Sequence, residues 1–304
     1  MRFSFEQLQQ LVTVAREGSF SAAARHLGRT QSTVSAAIAN LEADLGVELF
    51  DRSTRIPRLT AAGERLLLEA EAVVERCLAL EGHAQSLSQQ IEASLRLAIE
   101  VPGETVMPVL KAFEQAFPHV DLLVRNPQQG DVAGMIQRQE IDLGVAFSQP
   151  EYPRELGFRQ MGKLIMVHVC HPQHVLGRAE RVTFDDLHGH RRLALSGHAS
   201  AFPSSEYLRA TRLWQAENYP ALVDMLRAGL GWATLPRLLV RDALARGELV
   251  ELQLEAYPHT DWLVGVDLIW SRRQGAGPAL AWLRERLAAT KVAELDRLGR
   301  STTL

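Results

Sequence analysis

Arg29, Thr30, Gln31, Ser32, Thr33 and Ser35 crowd into one short stretch of the chain. All are compact hydrogen-bonding side chains. An amide such as that of Gln31 can address adenine through paired bonds, and hydroxyls can serve phosphate or either type of base edge. A second set, Arg52, Arg55 and Arg58, follows in "DRSTRIPR". Guanidinium groups neutralise phosphates, so the two sets together suit a polyanion whose edges can be read.

Three helical patterns must hold these residues. Residues 5 to 17 keep Phe5, Leu8, Leu11, Val12 and Ala15 on one face at steps of three and four, and Gly18 ends the run. Ser21 is placed to cap a short second helix, "AAARHL", closed by Gly28. A third helix through "STVSAAIANLEADLG" presents Val34, Ile38, Leu41 and Leu45 to the first two, and Gly46 stops it. Ala22, Ala23, Ala24 and Leu27 would face Val34 and Ile38. That is a helix-turn-helix, whose second helix can enter a major groove. "VELFDRSTRIPRLT" then suits a two-stranded wing with Arg52, Arg55 and Arg58 at its tip. The bland alternative is a three-helix bundle with a polar turn.

From Ala61 to about Ile91 the chain predicts one long helix. Leu66, Ala70, Val73, Cys77, Leu80, Ala84, Leu87 and Ile91 recur at alternating steps of four and three. A heptad seam of this kind favours a coiled-coil partner over packing within the chain. Leu66, Val73, Leu80 and Leu87 are its candidate dimer contacts.

After Ser94 strands and helices alternate: "LRLAIEV", "TVMPVLKAFEQAFP", "VDLLVR", "DVAGMIQRQE", "IDLGVAF" and onward to a final helix in "ALAWLRERLAAT". The order predicts an α/β region with a mostly parallel sheet in two small lobes. The tail after about Leu298 is expected to fray.

Composition limits the partners. The chain is 46% hydrophobic and 23% charged, the balance of an ordinary globular protein. Its formal net charge of −3 disfavours indiscriminate coating of polyanions, but a local basic patch is enough for nucleic acid. Lysines occur only at Lys111, Lys163 and Lys291, so any phosphate contacts in the first ninety residues fall to arginines, hydroxyls and backbone N–H groups. No apolar run is long enough to cross a membrane, and the N-terminus lacks the pattern of a signal peptide. Cys77 and Cys170 are too few for a disulfide framework and are expected to be core thiols in a reducing cytoplasm.

Other motifs are weak. "AGLGW" lacks the third glycine of a dinucleotide fingerprint and follows a helix, so it reads as a helix stop before a strand. "CHPQH" and "HGHRR" lack zinc-like spacing, so no metal or other cofactor is expected.

The first 65 residues resemble the winged helix-turn-helix of LysR-type transcriptional regulators, through "LQQLVTVAREGSFSAAARHLGRTQSTVSAAIANLEADLGVELFDR" and "LTAAGERLL". Further on, "MLRAGLGWATLP" is similar to the family's helix–Gly-x-Gly–strand passage. The resemblance covers essentially the whole chain. It implies a winged helix-turn-helix over 1–60, a linker and dimerisation helix over 61–92, and an α/β effector-binding domain over 93–304, similar to a type 2 periplasmic binding protein. Gln31, Ser32 and Ser35 fall where the family contacts DNA, Arg52 at its wing arginine, and Thr60 at the hydroxyl before the linker. Arg29, Thr30 and Arg55 join them as candidate contacts. The family usually carries Arg after Ser35; Ala36 stands there, which shifts phosphate load to Arg29, Arg55 and Arg58.

The family's effector lies between the two lobes. The matching positions here are Glu100, Val101, Gly103, Thr105, Phe147, Ser148, Ser196, Ser200 and Asn218, with Phe202 nearby. The family commonly has Ser or Thr where this chain has Glu100 and Val101. Glu100 and Glu104 could serve only to favour the positive end of the next helix. If Glu100 faces the cleft, an anion about 4 Å away meets roughly 4 kcal/mol of repulsion at an effective dielectric near 20. A plain dicarboxylate is then disfavoured against a neutral, cationic or mostly apolar ligand.

The resemblance implies a cytoplasmic dimer of dimers on an interrupted palindrome of double-stranded DNA, activation of a neighbouring gene, and RNA polymerase as a further candidate partner. An enzyme or a solute-binding module built on the α/β region are the rivals. No nucleophile elbow, P-loop or metalloprotease helix supports the first, and the absence of an export signal disfavours the second.

Overall fold

A computed structural model describes residues 3–51, 57–88, 90–127, 131–196, 210–257 and 262–292. The chain forms two compact units, Met1–Gln89 and Gln90–Leu304.

In the first unit, α1 (Phe5–Glu17) opens on a capping box: the Ser4 hydroxyl accepts from Gln7 N–H while the Gln7 side chain accepts from Ser4 N–H. It ends at Gly18, whose φ of 67° only glycine adopts freely. α2 (Phe20–His26) is capped by Ser19, not Ser21: the Ser19 hydroxyl accepts from Ala22 N–H at 3.1 Å. The earlier start lets the Phe20 ring pack edge-on against Phe50, 5.4 Å between centroids. α3 (Gln31–Leu45) is capped by Thr30 and stopped by Gly46. Leu11, Ala23, Val34, Ile38, Leu41 and Leu49 are buried between these helices and the wing. The wing pairs β1 (Phe50–Asp51) with β2 (Arg58–Leu59), antiparallel. Arg58 therefore sits in a strand; Arg52 and Arg55 lie outside the described residues.

α4 (Ala61–Ser88) stops short of Ile91, which packs into the core of the second unit. Its heptad seam divides. Ala70 and Val74 are buried and Leu66 partly buried in the core that α1 shares, whereas Val73 and Leu80 are exposed at 46% and 69%. Leu66 and Ala70 of the seam, with Val74 beside them, are thus spent inside the chain, because α1 supplies an apolar face there. Cys77 is half-buried instead of a core thiol, and the Leu87 side chain lies outside the described residues.

The second unit is built on a sheet of nine described strands: β3 (Ser94–Ile99), β4 (Asp121–Arg125), β5 (Leu143–Phe147), β6 (Leu156–Cys170), β7 (Arg192–Leu195), β8 (Leu213–Ala216), β9 (Trp232–Pro236), β10 (Val250–Glu251) and β11 (Trp262–Ser271). Their order is β4-β3-β5-β11-β6-β9-β7-β8, with β10 beside β6. The sheet is mixed, not mostly parallel. β3 pairs parallel with β4 and β5, and β7 with β8 and β9, but β11 runs antiparallel to both β5 and β6. The long strands β6 and β11 cross between lobes, and each crossing reverses direction.

The near lobe packs α5 (Met107–Ala116) and α10 (Pro278–Ala289) on one sheet face, and α6 (Val132–Gln137) on the other. The far lobe carries α7 (Phe184–Gly189), α8 (Tyr219–Arg227) and α9 (Arg237–Ala245). The "AGLGW" glycines divide the work there. Gly229 takes a φ of 71° to end α8, and a side chain at Gly231 would overlap the Arg191 carbonyl. Cys170 is buried, and burial pushes its thiol up to about 12. Among the described residues, no helix is long and apolar enough to cross a membrane.

Candidate functional site

At the start of α3 the polar residues share one exposed surface. Arg29, Thr30, Gln31 and Ser32 are exposed and Ser35 is half-buried. Gln31, Ser32 and Ser35 fall on a single helical face by their spacing. Thr30 has a structural duty: its hydroxyl accepts from Thr33 N–H at 3.2 Å and bonds to the Ser32 and Thr33 hydroxyls at 2.9 and 2.8 Å. Gln31 and Ser32 lie at the helix start, where unpaired N–H groups favour anions. Arg29 extends from the same corner, 3.1 Å from the Glu6 carboxylate.

The wing is anchored to this helix. Glu42 on α3 accepts N–H bonds from Leu49 at 2.8 Å and Phe50 at 3.1 Å. Thr60 also has structural bonds: its hydroxyl donates to the Glu48 carbonyl at 2.7 Å and accepts from Gly63 N–H at 2.9 Å, capping α4. Gly63 must be glycine, since a side chain there would overlap the Leu49 carbonyl oxygen. Side-chain-to-backbone bonds from Glu42 and Thr60 therefore tie α3, the wing and α4 together.

In the second unit, Glu100 and Phe147 meet at the carboxyl ends of β3 and β5, where α/β sheets hold ligands. The Glu100 carboxylate is buried, 7% exposed, and accepts the Phe147 N–H at 3.0 Å. Its backbone lies where the lobes meet: Tyr219 of the far lobe donates its hydroxyl to the Glu100 carbonyl at 3.4 Å. Burial first, and the Glu100 charge second, raise the Tyr219 pKa, so that hydroxyl stays protonated. Arg241 and Glu104 also approach across the lobes, at 3.8 Å, as do Asn126 and the Glu217 carbonyl, at 3.4 Å.

The other anticipated residues scatter in role. Val101 and Phe147 are buried in the near-lobe core. Thr105 is fully buried, donating to the Pro102 carbonyl at 2.7 Å, and Gly103 is exposed in the turn before α5. Asn218 caps α8 by accepting from Ala221 N–H at 2.9 Å. Ser196 is exposed at the end of β7, while Ser200 and Phe202 lie outside the described residues.

Three neighbours of the cleft escaped the sequence: Tyr152, Tyr219 and Asp267. Tyr152 donates to Asp267 Oδ2 at 2.8 Å and accepts from Gln149 N–H at 3.1 Å. Burial raises the Tyr152 pKa, and the Asp267 and Glu100 carboxylates add to the rise against the Gln149 bond. A signal for Asp267 did exist: it is the one carboxylate in the apolar strand "VGVDLIWS". "CHPQH" and "HGHRR" also converge, with the His174 and His190 rings 5.4 Å apart. Among the described residues they form no group able to hold a metal.

Comparison with known proteins agrees with both units. Residues 5–64 match the family model of the bacterial regulatory helix-turn-helix protein, lysR family, and residues 88–291 match that of the LysR substrate binding domain. The HTH-type transcriptional regulator AceR of Acinetobacter baumannii is 27% identical over 93% of this chain and 96% of its own. PunR of Escherichia coli is 30% identical over 92% of this chain and 91% of its own. Full-length LysG from Corynebacterium glutamicum, solved with bound effector Arg, is 19% identical and shares the fold, with a TM-score of 0.52 over 96% of this chain and 99% of LysG.

Proposed function

The chain belongs to the LysR family, whose members are transcriptional regulators and not enzymes, and from that premise we propose that it binds an interrupted palindromic operator as a dimer of dimers, under control of a small molecule held between its two α/β lobes. Gln31, Ser32 and Ser35 read base edges in the major groove, and Arg29, Arg52, Arg55 and Arg58 engage phosphates. The carrying observation is the exposed row of short hydrogen bonders at the start of α3, a helix bonded to the wing through Glu42. Two-fold protein symmetry matches a palindrome, with half-sites spaced by the helical repeat. Leu80 and Val73 on the outer face of α4 supply the dimer contact, and domains divide as 1–60, 61–92 and 93–304. The protein works in the cytoplasm, activates a neighbouring gene through RNA polymerase and restrains its own.

Footprinting on the DNA upstream of its own gene tests this. Two protected half-sites related by dyad symmetry are expected, with a pattern that changes when the small molecule is added. Protection without sequence preference would overturn the operator assignment.

A further inference from the structure

One row across the near-lobe sheet stands out for its side chains. Ile99 on β3 is level with Val145 on β5, so Glu100 stands beside Ala146; Ala146 pairs with Asp267 on β11, and Asp267 with Gln160 on β6. Strand partners in register point to the same face. Glu100 and Asp267 therefore flank the small Ala146 on one face, with backbones about 10 Å apart by two strand spacings. Glu100 leans over β5 to take the Phe147 N–H.

In the next row a glycine lets two polar side chains close in. Ser148 sits beside Gly265, donating its N–H to the Gly265 carbonyl at 2.8 Å. A side chain at Gly265 would overlap the Ser148 hydroxyl and stand 3.0 Å from Gln160 Nε2. A register shift between Val266 and Asp267 accompanies Gly162 at φ 146°, which turns Gln160 to this face.

Two buried acceptors on this face have no partner among the described residues. Asp267 is 3% exposed; its Oδ2 accepts from Tyr152, and its Oδ1 from nothing. The Ser148 hydroxyl oxygen is buried and unpartnered as well. A buried carboxylate oxygen without a donor is costly, so such atoms mark where a donor belongs. Resting on the reading that the lobes enclose an effector, we infer that this effector carries a positive charge, an ammonium or guanidinium group that donates to Asp267 Oδ1 and the Ser148 hydroxyl beside Glu100. Tyr219, reaching Glu100 from the far lobe, links occupation of this row to the far lobe.

The test uses the full chain and four probes of matched size: diaminobutane and agmatine as cations, butanediol as the neutral counterpart, and succinate as the anion. Calorimetry and thermal shift should detect both cations and neither of the other two. Asp267→Asn, which keeps an acceptor for Tyr152, should lower cation affinity at least about tenfold. Ser148→Ala should lower it less, and circular dichroism of each variant separates loss of binding from loss of fold. The inference is overturned if neither cation binds, if butanediol binds as well as diaminobutane, or if folded Asp267→Asn and Ser148→Ala both keep full affinity. Binding of succinate or butanediol alone would defeat the charge assignment while leaving the effector reading intact. The effector reading itself falls only if the operator footprint is indifferent to every small-molecule fraction of a cell extract.

Discussion

Arg29 Nη2 lies 3.1 Å from Glu6 Oε1, tying the corner before the recognition helix to the first turn of α1. Both side chains are more than half exposed, so the pair adds little stability. Its effect is on charge: Glu6 offsets a cation where phosphates would approach. Glu6→Gln is expected to tighten binding to any DNA several-fold at low salt. Arg29→Ala should weaken all sequences alike and flatten the salt dependence by about one counterion. Fluorescence anisotropy over a range of salt concentrations reads both. Equal affinities for all three proteins would remove Arg29 from the interface.

Base reading predicts a different signature. Gln31→Ala or Ser35→Ala should cost about 1–3 kcal/mol on the operator and almost nothing on random DNA. Arg52→Ala should cost the same on both. Competition binding with operator and scrambled duplexes distinguishes these patterns, and a Gln31 variant that weakens both duplexes equally would reassign that residue to phosphate.

If Leu80 makes the proposed dimer contact, the divided face of α4 separates assembly from folding. Leu80 is 69% exposed, so Leu80→Asp should leave the domain folded while sedimentation shows smaller species and operator binding falls. Ala70 is 4% exposed against α1, and Ala70→Asp should unfold the DNA-binding unit. A Leu80→Asp protein that sediments as the parent does would end the dimer assignment.

His168 is buried beneath Trp232 and Trp262, bonded through Nδ1 to the Thr234 hydroxyl at 2.8 Å. Burial, helped by the Arg192 charge, holds its pKa down to about 4. Below about pH 6.5 the unfolded chain takes up this proton and the folded chain does not. Stability should therefore drop as pH falls from about 6.5 to 4, by about 3 kcal/mol from this residue. His168→Gln keeps a polar group near Thr234 and should flatten the dependence of the urea midpoint on pH. An unchanged slope would show that other groups govern acid lability.

Much of this protein was legible along the chain because its signals are local. Apolar spacing marked α1, α3 and α4; Gly18 and Gly46 marked helix ends; and the polar tip of "GRTQS" between helices marked the candidate interface. Each depends on residues within a few turns of one another. Ser19 caps α2 in place of Ser21, and the Phe20–Phe50 contact that accompanies the earlier start joins residues far apart along the chain.

The candidate cleft was legible as separate residues, Glu100, Phe147 and Ser148 among them, but not as an arrangement. Glu100 stood out as a carboxylate where the family commonly has a hydroxyl, but its surroundings did not. Glu100, Ala146, Asp267 and Gln160 come from four strands, and only their register puts them in one row. Tyr219 reaches Glu100 from a helix more than a hundred residues away in sequence. Local periodicity determined the elements and the chemistry each carries. Strand order, the antiparallel insertion of β11 and the split use of α4 were decided by which distant apolar faces bury one another, and burial of distant surface leaves no mark in the spacing of neighbouring residues.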